Sequence, residues 1–569
     1  MADRRRLTAG RDPGPGASPG YASAVLNRSR RGRLPLVAIG VVAALAVAIP
    51  VLSGRPGSPA ASATPGDSSS PVTVQAPSVS PSQSLAPTAT PPAPPQRLAI
   101  VPVTQFRAPW TATTRTEVLA VLAGTSKRYT ALELVASDVG EILDALATPR
   151  PRDPKRLVEA PHAAALTADL ASKRTRLAFL RADDVTPAVR ALAWEGQSLF
   201  GVDRVKSFDA WPLTITDRAS VAGARPTEAA SYNPATAWTL VAGGDILLDR
   251  GVALSIGARG VDFPFDGGTA DITGHRCCSG FGWPMPLTRR TGGAGAVRSL
   301  IDSADLAIAN FENPAPINFR FHVHGTVFSA DPALIKGLSD AGLDWVSIAN
   351  NHIRDAGATG ILQTIAALDR FGIAHSGAGE NLAAARKPAM LAEPGGVQVA
   401  ILGYDTIARS YWATASRAGS AQLTAAACAH DVPAARAAGA DVVIVFPHWG
   451  VEYTARPTAL QRSLAKACID AGADLVIGNH PHWAGAVEIY KGRPIWYALG
   501  NFVFDQVWSE PTVEGITLEL TFEGARLVQA VMRPHLILDR SQPNFLDPAG
   551  DGAVVMKQVF GASKRTLPW

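Results

Sequence analysis

The sequence predicts a mixed α/β sandwich, and three patterns predict it. Apolar runs rich in Val, Ile and Ala recur through the second half of the chain. Five of them end in Asp, Glu, Asn or His: VAGGDILLDR (241–250), IANFEN (308–313), IANNHIRD (348–355), FPHWGVEY (446–453) and IGNHPHW (477–483). A parallel sheet presents residues at the carboxyl ends of its strands in this way. Helical patterns alternate with the strand-like ones, and alternating β segments follow near the end. A smaller α/β region and a single apolar span precede the sandwich.

From the amino end, residues 1–33 carry eight Arg against Asp3 and Asp12, a net of +6. The formal charge of the whole chain is +5, which leaves −1 for everything after residue 33. The pI of about 9.1 therefore reflects a short tail. A nucleic-acid-binding protein carries its basic residues on the folded surface, so no nucleic-acid partner is expected. Residues 34–52, LPLVAIGVVAALAVAIPVL, contain no charge. About 20 apolar residues span a bilayer as a helix. With arginines on its amino side, the segment reads as an uncleaved single-pass anchor in the cell membrane. The tail is then cytoplasmic and the bulk of the chain extracytoplasmic. A cleaved secretory signal is the competing reading, since SPAASA (58–63) offers small-residue cleavage sites, but its apolar core and leader would both be unusually long. Residues 53–96, rich in Pro, Ser, Thr and Ala, cannot bury enough surface to fold and read as an extended spacer.

Residues 97–218 read as an accessory α/β domain. LAIVPV (98–103) and RLAFLRADD (176–184) have strand character, while TRTEVLAVLAG (114–124) and VGEILDAL (139–146) have helical spacing. DVTPAVRALAWEG (184–196) continues the alternation to about Leu213. The region resembles half of a solute-binding fold. It holds no cluster of donors, and its isolated His162 reads as a surface residue.

After an Ala-, Gly- and Pro-rich break at 219–236, the main domain runs from 237 to 540. Strands are expected at 237–243, 304–309, 344–349, 397–403, 441–446 and 474–477, and helices at 295–302, 332–341, 357–371 and 457–471. Pro457 suits a first helical turn. AVEIYKGRPIWYALGNFVFD (486–505) has a KGR turn between two strands, and VEGITLELTFEG (513–524) alternates, so both read as antiparallel β. Residues 541–569 read as a C-terminal extension. Four cysteines in a chain of 569 residues do not make a disulfide scaffold. Cys277 and Cys278 are adjacent, a poor zinc spacing, and Cys468 reads as a small core residue.

Oxygen and nitrogen donors at five strand ends suit a site for one or two divalent metals. A His-x-His pair on a loop after a strand can reach both sides of a metal pair. No Gly-x-Ser-x-Gly elbow, phosphate loop or dinucleotide fingerprint stands in usable context. GDILLDR, NFEN, DWVSIANNHIRDAG, GIAHSGAG, HWGVEY, GADLVIGNHPH and IWYALGNFVFD together resemble the poly-gamma-glutamate capsule-synthesis (CapA) family, within the calcineurin-like metallophosphoesterase superfold.

The resemblance covers about Thr239 to Phe504. It implies that Asp245, Glu312, Asn351, His448, His480 and His482 ligate Mn, Fe or Zn. Glu312 would bridge, with Asn351, His448 and His480 on one ion and Asp245 and His482 on the other. It also implies that His352 is the general acid toward a leaving group, for which a pKa near 6.5 is suited. Arg250 and Arg354 follow two ligand motifs and can offer a planar fork to anionic oxygens, with Arg250 assigned to catalysis. Asn501, in LGNFVFD, reads either as closing the site by hydrogen bonding or as part of a structural turn. His322 and His324 alternate along an extended segment and read as partly exposed.

Three positions depart from the superfold pattern. Leu247 stands where a histidine normally follows the first aspartate by two residues, Asn479 where the family commonly has another histidine, and Asp249 where glycine is usual. The expected function is a membrane-anchored protein of poly-gamma-glutamate or related envelope-polymer synthesis or export, with a phosphoesterase-type metal site. The alternative is a non-catalytic scaffold gripping the polymer in the same pocket. Expected partners are an anionic polymer or phosphorylated small molecule, the membrane and other capsule-synthesis subunits.

Overall fold

The computed structural model describes residues 96–217 and 232–569. The basic tail, the 34–52 span and the spacer up to residue 95 lie outside the described residues. Among the described residues, no helix is long and apolar enough to cross a membrane.

The small domain is built on the strand Gln96–Gln105. It lies antiparallel to Arg176–Arg181, and Val189–Ala191 and Thr214–Asp217 also pair with it. Ala131–Val135 and Leu157–Ala160 extend the sheet in parallel. Helices at Arg115–Ala123, Val139–Ala145 and Ala163–Ser172 cover it. Thr114 caps the first helix by accepting the Glu117 N–H, and Gly124 ends it at a φ of 76° that glycine adopts without Cβ strain. Ile100, Leu132, Leu134, Leu177 and Phe179 fill the core.

The main domain stacks two sheets. The first carries, side by side, Glu514–Glu523, Ala237–Ile246, Leu306–Phe311, Trp345–Ser347 and Ala374–Ser376, the last four mutually parallel. The second carries Gln398–Asp405, Val442–His448, Leu475–Ile477 and Arg493–Trp496, all parallel. Side-chain alternation explains the layering. Trp238, Leu240, Leu306 and Ile308 from the first sheet share one core with Val399, Ile401, Val442 and Ile444 from the second. The residues between them face outward: Val241 and Ala307 pack toward helices such as Gly357–Arg370, and Ala400 and Val443 toward Ala425–Ala437 and Ala459–Asp470.

Several expectations are adjusted. The strand read at 304–309 runs from Leu306 to Phe311, and the one read to 446 continues to His448. The helix read from Pro457 begins at Ala459, because Thr458 and Gln461 form a reciprocal capping box and Pro457 precedes it. Residues 541–569 do not stand apart. Gln542–Phe545 pairs with Arg526–Leu538, and the helix Ala553–Ala562 buries Val555 and Val559 in the inter-sheet core. Cys468 is buried as expected, but it is bonded to Cys428, joining the two helices on the outer face of the second sheet. Cys277 and Cys278 are free and exposed.

Candidate metal centre

Each motif delivers its donor where a strand ends. Asp245 is the penultimate residue of Ala237–Ile246, and Glu312 follows Leu306–Phe311, its N–H held by the Ile246 carbonyl at 2.8 Å. Asn351 comes four residues after Trp345–Ser347. From the second sheet, His448 closes its strand, while His480 and His482 lie on the loop after Leu475–Ile477. Gly244 has a specific task here. A Cβ at that position would stand 1.8 Å from the Gly500 carbonyl oxygen, which accepts the Asp245 N–H at 3.1 Å. Only glycine allows that approach.

The six residues converge. His448 Nε2 is 2.6 Å from Asn351 Oδ1, 3.0 Å from His480 Nδ1 and 3.5 Å from Glu312 Oε1. His482 lies 3.4 Å from Asp245 Oδ2 through Nδ1 and 3.8 Å from Glu312 Oε1 through Nε2. Two donor groups can each surround a cation, Asp245–Glu312–His448 and Glu312–His480–His482, and Glu312 belongs to both. Within the cluster His448 makes its shortest contacts with Asn351 and His480, while His482 lies nearest Asp245.

The electrostatics fit a cation. Both Glu312 carboxylate oxygens are buried without a hydrogen-bond partner, so the charge is uncompensated. Burial, with Asp245 alongside, holds its carboxyl well above the usual range. Burial and neighbouring imidazoles hold His448 well below its ordinary value and bring His480 down to about 3. Neutral imidazoles and a carboxylate lacking a counter-charge form the donor set a divalent metal requires. His480 and His482 also adopt positive φ, 95° and 58°, a conformation that non-glycine residues retain where the surroundings impose it.

Surrounding groups aim these donors. Asn501 Oδ1 meets His482 Nδ1 at 2.9 Å, while its amide donates to Gln506 and the Thr512 carbonyl. Asn501 thus fixes the imidazole, a usual task beside a metal ligand. Asn310 donates to Asp245 Oδ1 at 2.7 Å and lies 3.1 Å from His448 Nδ1. It was not singled out in the sequence, although it stands inside NFEN.

His352 lies at the edge of the cluster, its ring packed on Phe328 with centroids 4.2 Å apart. Its Nδ1 is 2.8 Å from Asp355 Oδ2, and Asp355 also accepts from the Tyr411 hydroxyl and the Phe328 N–H. Asp355 and Tyr411 are further residues that sequence reasoning missed, and the motif IANNHIRD contains the first of them.

Arg250 is not a free fork. Its terminal nitrogens bind Asp505 and the Gly325 carbonyl, and its guanidinium lies over Phe328. In this arrangement it pins the loop carrying His322 and His324. Asp249 is likewise engaged: it accepts the Arg250 and Ser329 N–H groups at 2.7 Å each. Leu247 points into the inter-sheet core. Both side-chain amide atoms of Asn479 are buried without partners. Arg354 Nε is also buried and unpartnered.

Comparison with known proteins agrees with these motifs. The family model for the bacterial capsule synthesis protein PGA_cap matches residues 239–506. The capsule biosynthesis protein CapA of Bacillus anthracis is 35% identical over 221 residues, 37% of this chain and 54% of that protein. A probable polyglutamine synthesis accessory protein of Mycobacterium tuberculosis is 30% identical over 283 residues, 47% of this chain and 74% of that protein. The chain spans a little over half the length of the Bacillus anthracis relative. Among solved structures, the calcineurin-like phosphoesterase YfkN of Bacillus subtilis aligns with 58% of this chain and 98% of its own at 15% identity, with a TM-score of 0.32. With all five donor motifs inside the matched region, and a relative aligned over most of its length, the chain belongs to the PGA_cap family of bacterial capsule synthesis proteins.

Proposed function

We propose that this protein acts outside the cytoplasmic membrane in the synthesis or export of a polyglutamyl or related anionic envelope polymer, through a divalent-metal site of phosphoesterase type. The observation that carries the metal is the unpaired, buried Glu312 carboxylate at the meeting point of Asp245, Asn351, His448, His480 and His482. These six residues would hold one or two ions, whose contribution is Lewis acidity toward an ester or acyl oxygen. The residues of the chain do the rest. Asn501 and Asn310 hold the donors in register. His352 stands at the edge of the cluster with Asp355 on Nδ1, which leaves Nε2 to carry a proton to a departing group. Arg250 and Asp505 hold the loop beside it. The Cys428–Cys468 bridge supports an oxidising, extracytoplasmic location.

Leu247 favours a second reading, because the first motif contributes one donor fewer than the phosphoesterase pattern requires. In that reading the same pocket grips the polymer without turnover. Elemental analysis of the purified full-length protein should find a stoichiometric transition metal that His448→Ala loses. Assays on phosphodiester and γ-glutamyl substrates then separate the readings. Metal without turnover on either class leaves the scaffold, and absence of metal after reconstitution with Mn, Fe and Zn removes the metal site itself.

A further inference from the structure

The small domain docks on the main sheet through polar contacts. The Gly201 N–H donates to Thr521 Oγ1 and the Val202 N–H to Glu519 Oε1, both at 2.8 Å. Beside these contacts lies a cavity of about 330 Å³ between Val189–Ala191 and the strands Glu514–Glu523 and Arg526–Leu538. That volume is in the range that holds small organic ligands. None of the metal-centre residues lines it.

Its lining holds the cations Arg190 and Arg533 and the carboxylates Asp203 and Glu519, but its hydrogen bonding is incomplete. Arg190 is only 6% exposed, makes no hydrogen bond or ion pair among the described residues, and has its Nε buried without a partner. The neighbouring Arg533 is already matched, with its Nε 2.7 Å from Glu519 Oε2. Gln529, which also lines the cavity, has its Oε1 buried with no donor. The remaining wall is largely apolar, with Val101, Leu192, Phe200 and Met532 among its residues. Burial, with Arg533 adding and Glu519 opposing, lowers the Arg190 guanidinium to about 10, so it is charged at neutral pH. A buried charge is ordinarily paired, and a buried acceptor ordinarily receives a hydrogen. Here the Arg190 Nε and the Gln529 Oε1 are left without hydrogen-bond partners, and Glu519, engaged by Arg533 and the Val202 N–H, reaches Arg190 only through its charge.

We propose that this cavity binds a small organic monoanion: a carboxylate, gripped by Arg190, on an apolar body whose single hydrogen-bond donor reaches Gln529. A carboxylate matches the planar guanidinium fork. With the Asp203 and Glu519 carboxylates already in the lining, a second negative charge on the ligand is disfavoured. The site is thus distinct in chemistry from the metal centre, and the inference does not depend on the activity proposed there.

The test is calorimetric titration of the full-length protein with N-acetyl-L-leucine, its neutral amide, acetate and inorganic phosphate. N-acetyl-L-leucine should bind saturably at one site, and the amide about tenfold or more weakly, one factor of ten being a modest loss for a charged contact. Arg190→Gln should abolish that binding while the thermal midpoint holds or rises, because an unpaired charge leaves the interior. Gln529→Leu should weaken N-acetyl-L-leucine but not acetate. Absence of saturable N-acetyl-L-leucine binding overturns the proposal, as does binding unchanged in Arg190→Gln. Preference for phosphate overturns the carboxylate assignment. A clear fall in thermal midpoint for Arg190→Gln, with no binding in the wild type, would make Arg190 a structural residue.

Discussion

At the scale of single residues, the proposed function separates groups that would hold a cation from groups that would place a proton. It puts His352 in the second kind, so His352→Asn should leave metal content unchanged and lower turnover by ~10²–10⁴ on a substrate with a poor leaving group. Asp355→Asn should act through His352. It keeps the shape but loses the carboxylate on Nδ1, and it should displace the alkaline limb of the pH–rate profile, where a general acid loses its proton, which a merely structural change would not move. Unchanged turnover in His352→Asn on such a substrate would end the acid assignment. Glu514 offers a separate test. It is buried with Oε1 unpartnered, and burial, with Glu510 adding, pushes its carboxyl from 4.5 up to about 8. An acid raised on folding contributes stability that is full below about 4.5 and is lost as pH rises through about 8. Thermal midpoints across that window should fall in the wild type and flatten in Glu514→Gln, with the variant the more stable above pH 8. The motifs were legible because each follows an apolar run, a pattern visible in one dimension, and the six candidate ligands within them were picked out by the family resemblance those motifs carry. Asn310, Asp355, Tyr411 and Asp505 were not, because their roles depend on which side chain faces them across the fold.

At the scale of elements, alternation and capping carried most of the architecture. The parallel strands carrying Asp245 and His448 could be read from their apolar runs and polar ends, and both are buried along their whole length. The boundary at residue 540 failed because Gln542–Phe545 is short and polar, and gains its place only by pairing with Arg526–Leu538. The bridge between Cys428 and Cys468 was equally invisible, since 40 residues separate them and two helices must first pack. A loop of that length makes the bridge worth about 4 kcal/mol in the chain-entropy model. Denaturant unfolding of Cys428→Ser, Cys468→Ser should show a loss of that order, with the metal content unaltered. A double variant as stable as the wild type would show that the helices need no covalent link.

For the whole molecule, the function proposed above carries a topology: with the charge asymmetry around 34–52, an amino terminus in the cytoplasm and everything after it outside. A reporter fused after Trp569 should therefore be active only when it works outside the cytoplasm. Activity of a strictly cytoplasmic reporter at that position would reverse the topology. A mature amino terminus near Ala63 would replace the anchor with a cleaved leader.

The donors come in equal numbers from the two stacked layers: Asp245, Glu312 and Asn351 from one, His448, His480 and His482 from the other. A divalent ion seated among them would act as a rivet. Neither layer alone offers a full coordination shell, so ion affinity would report directly on whether the layers are correctly docked. Ligand binding to the native state alone adds RT ln(1 + [L]/Kd) to stability, about 4 kcal/mol at a thousandfold excess over Kd. Chelation should therefore lower the thermal midpoint. It should also speed amide exchange first at the carboxyl ends of Ala237–Ile246 and Val442–His448, with the small domain unaffected. Equal loss of protection throughout the chain would mean that the layers are held by their shared apolar core alone, and that the ion is a passenger rather than a fastener.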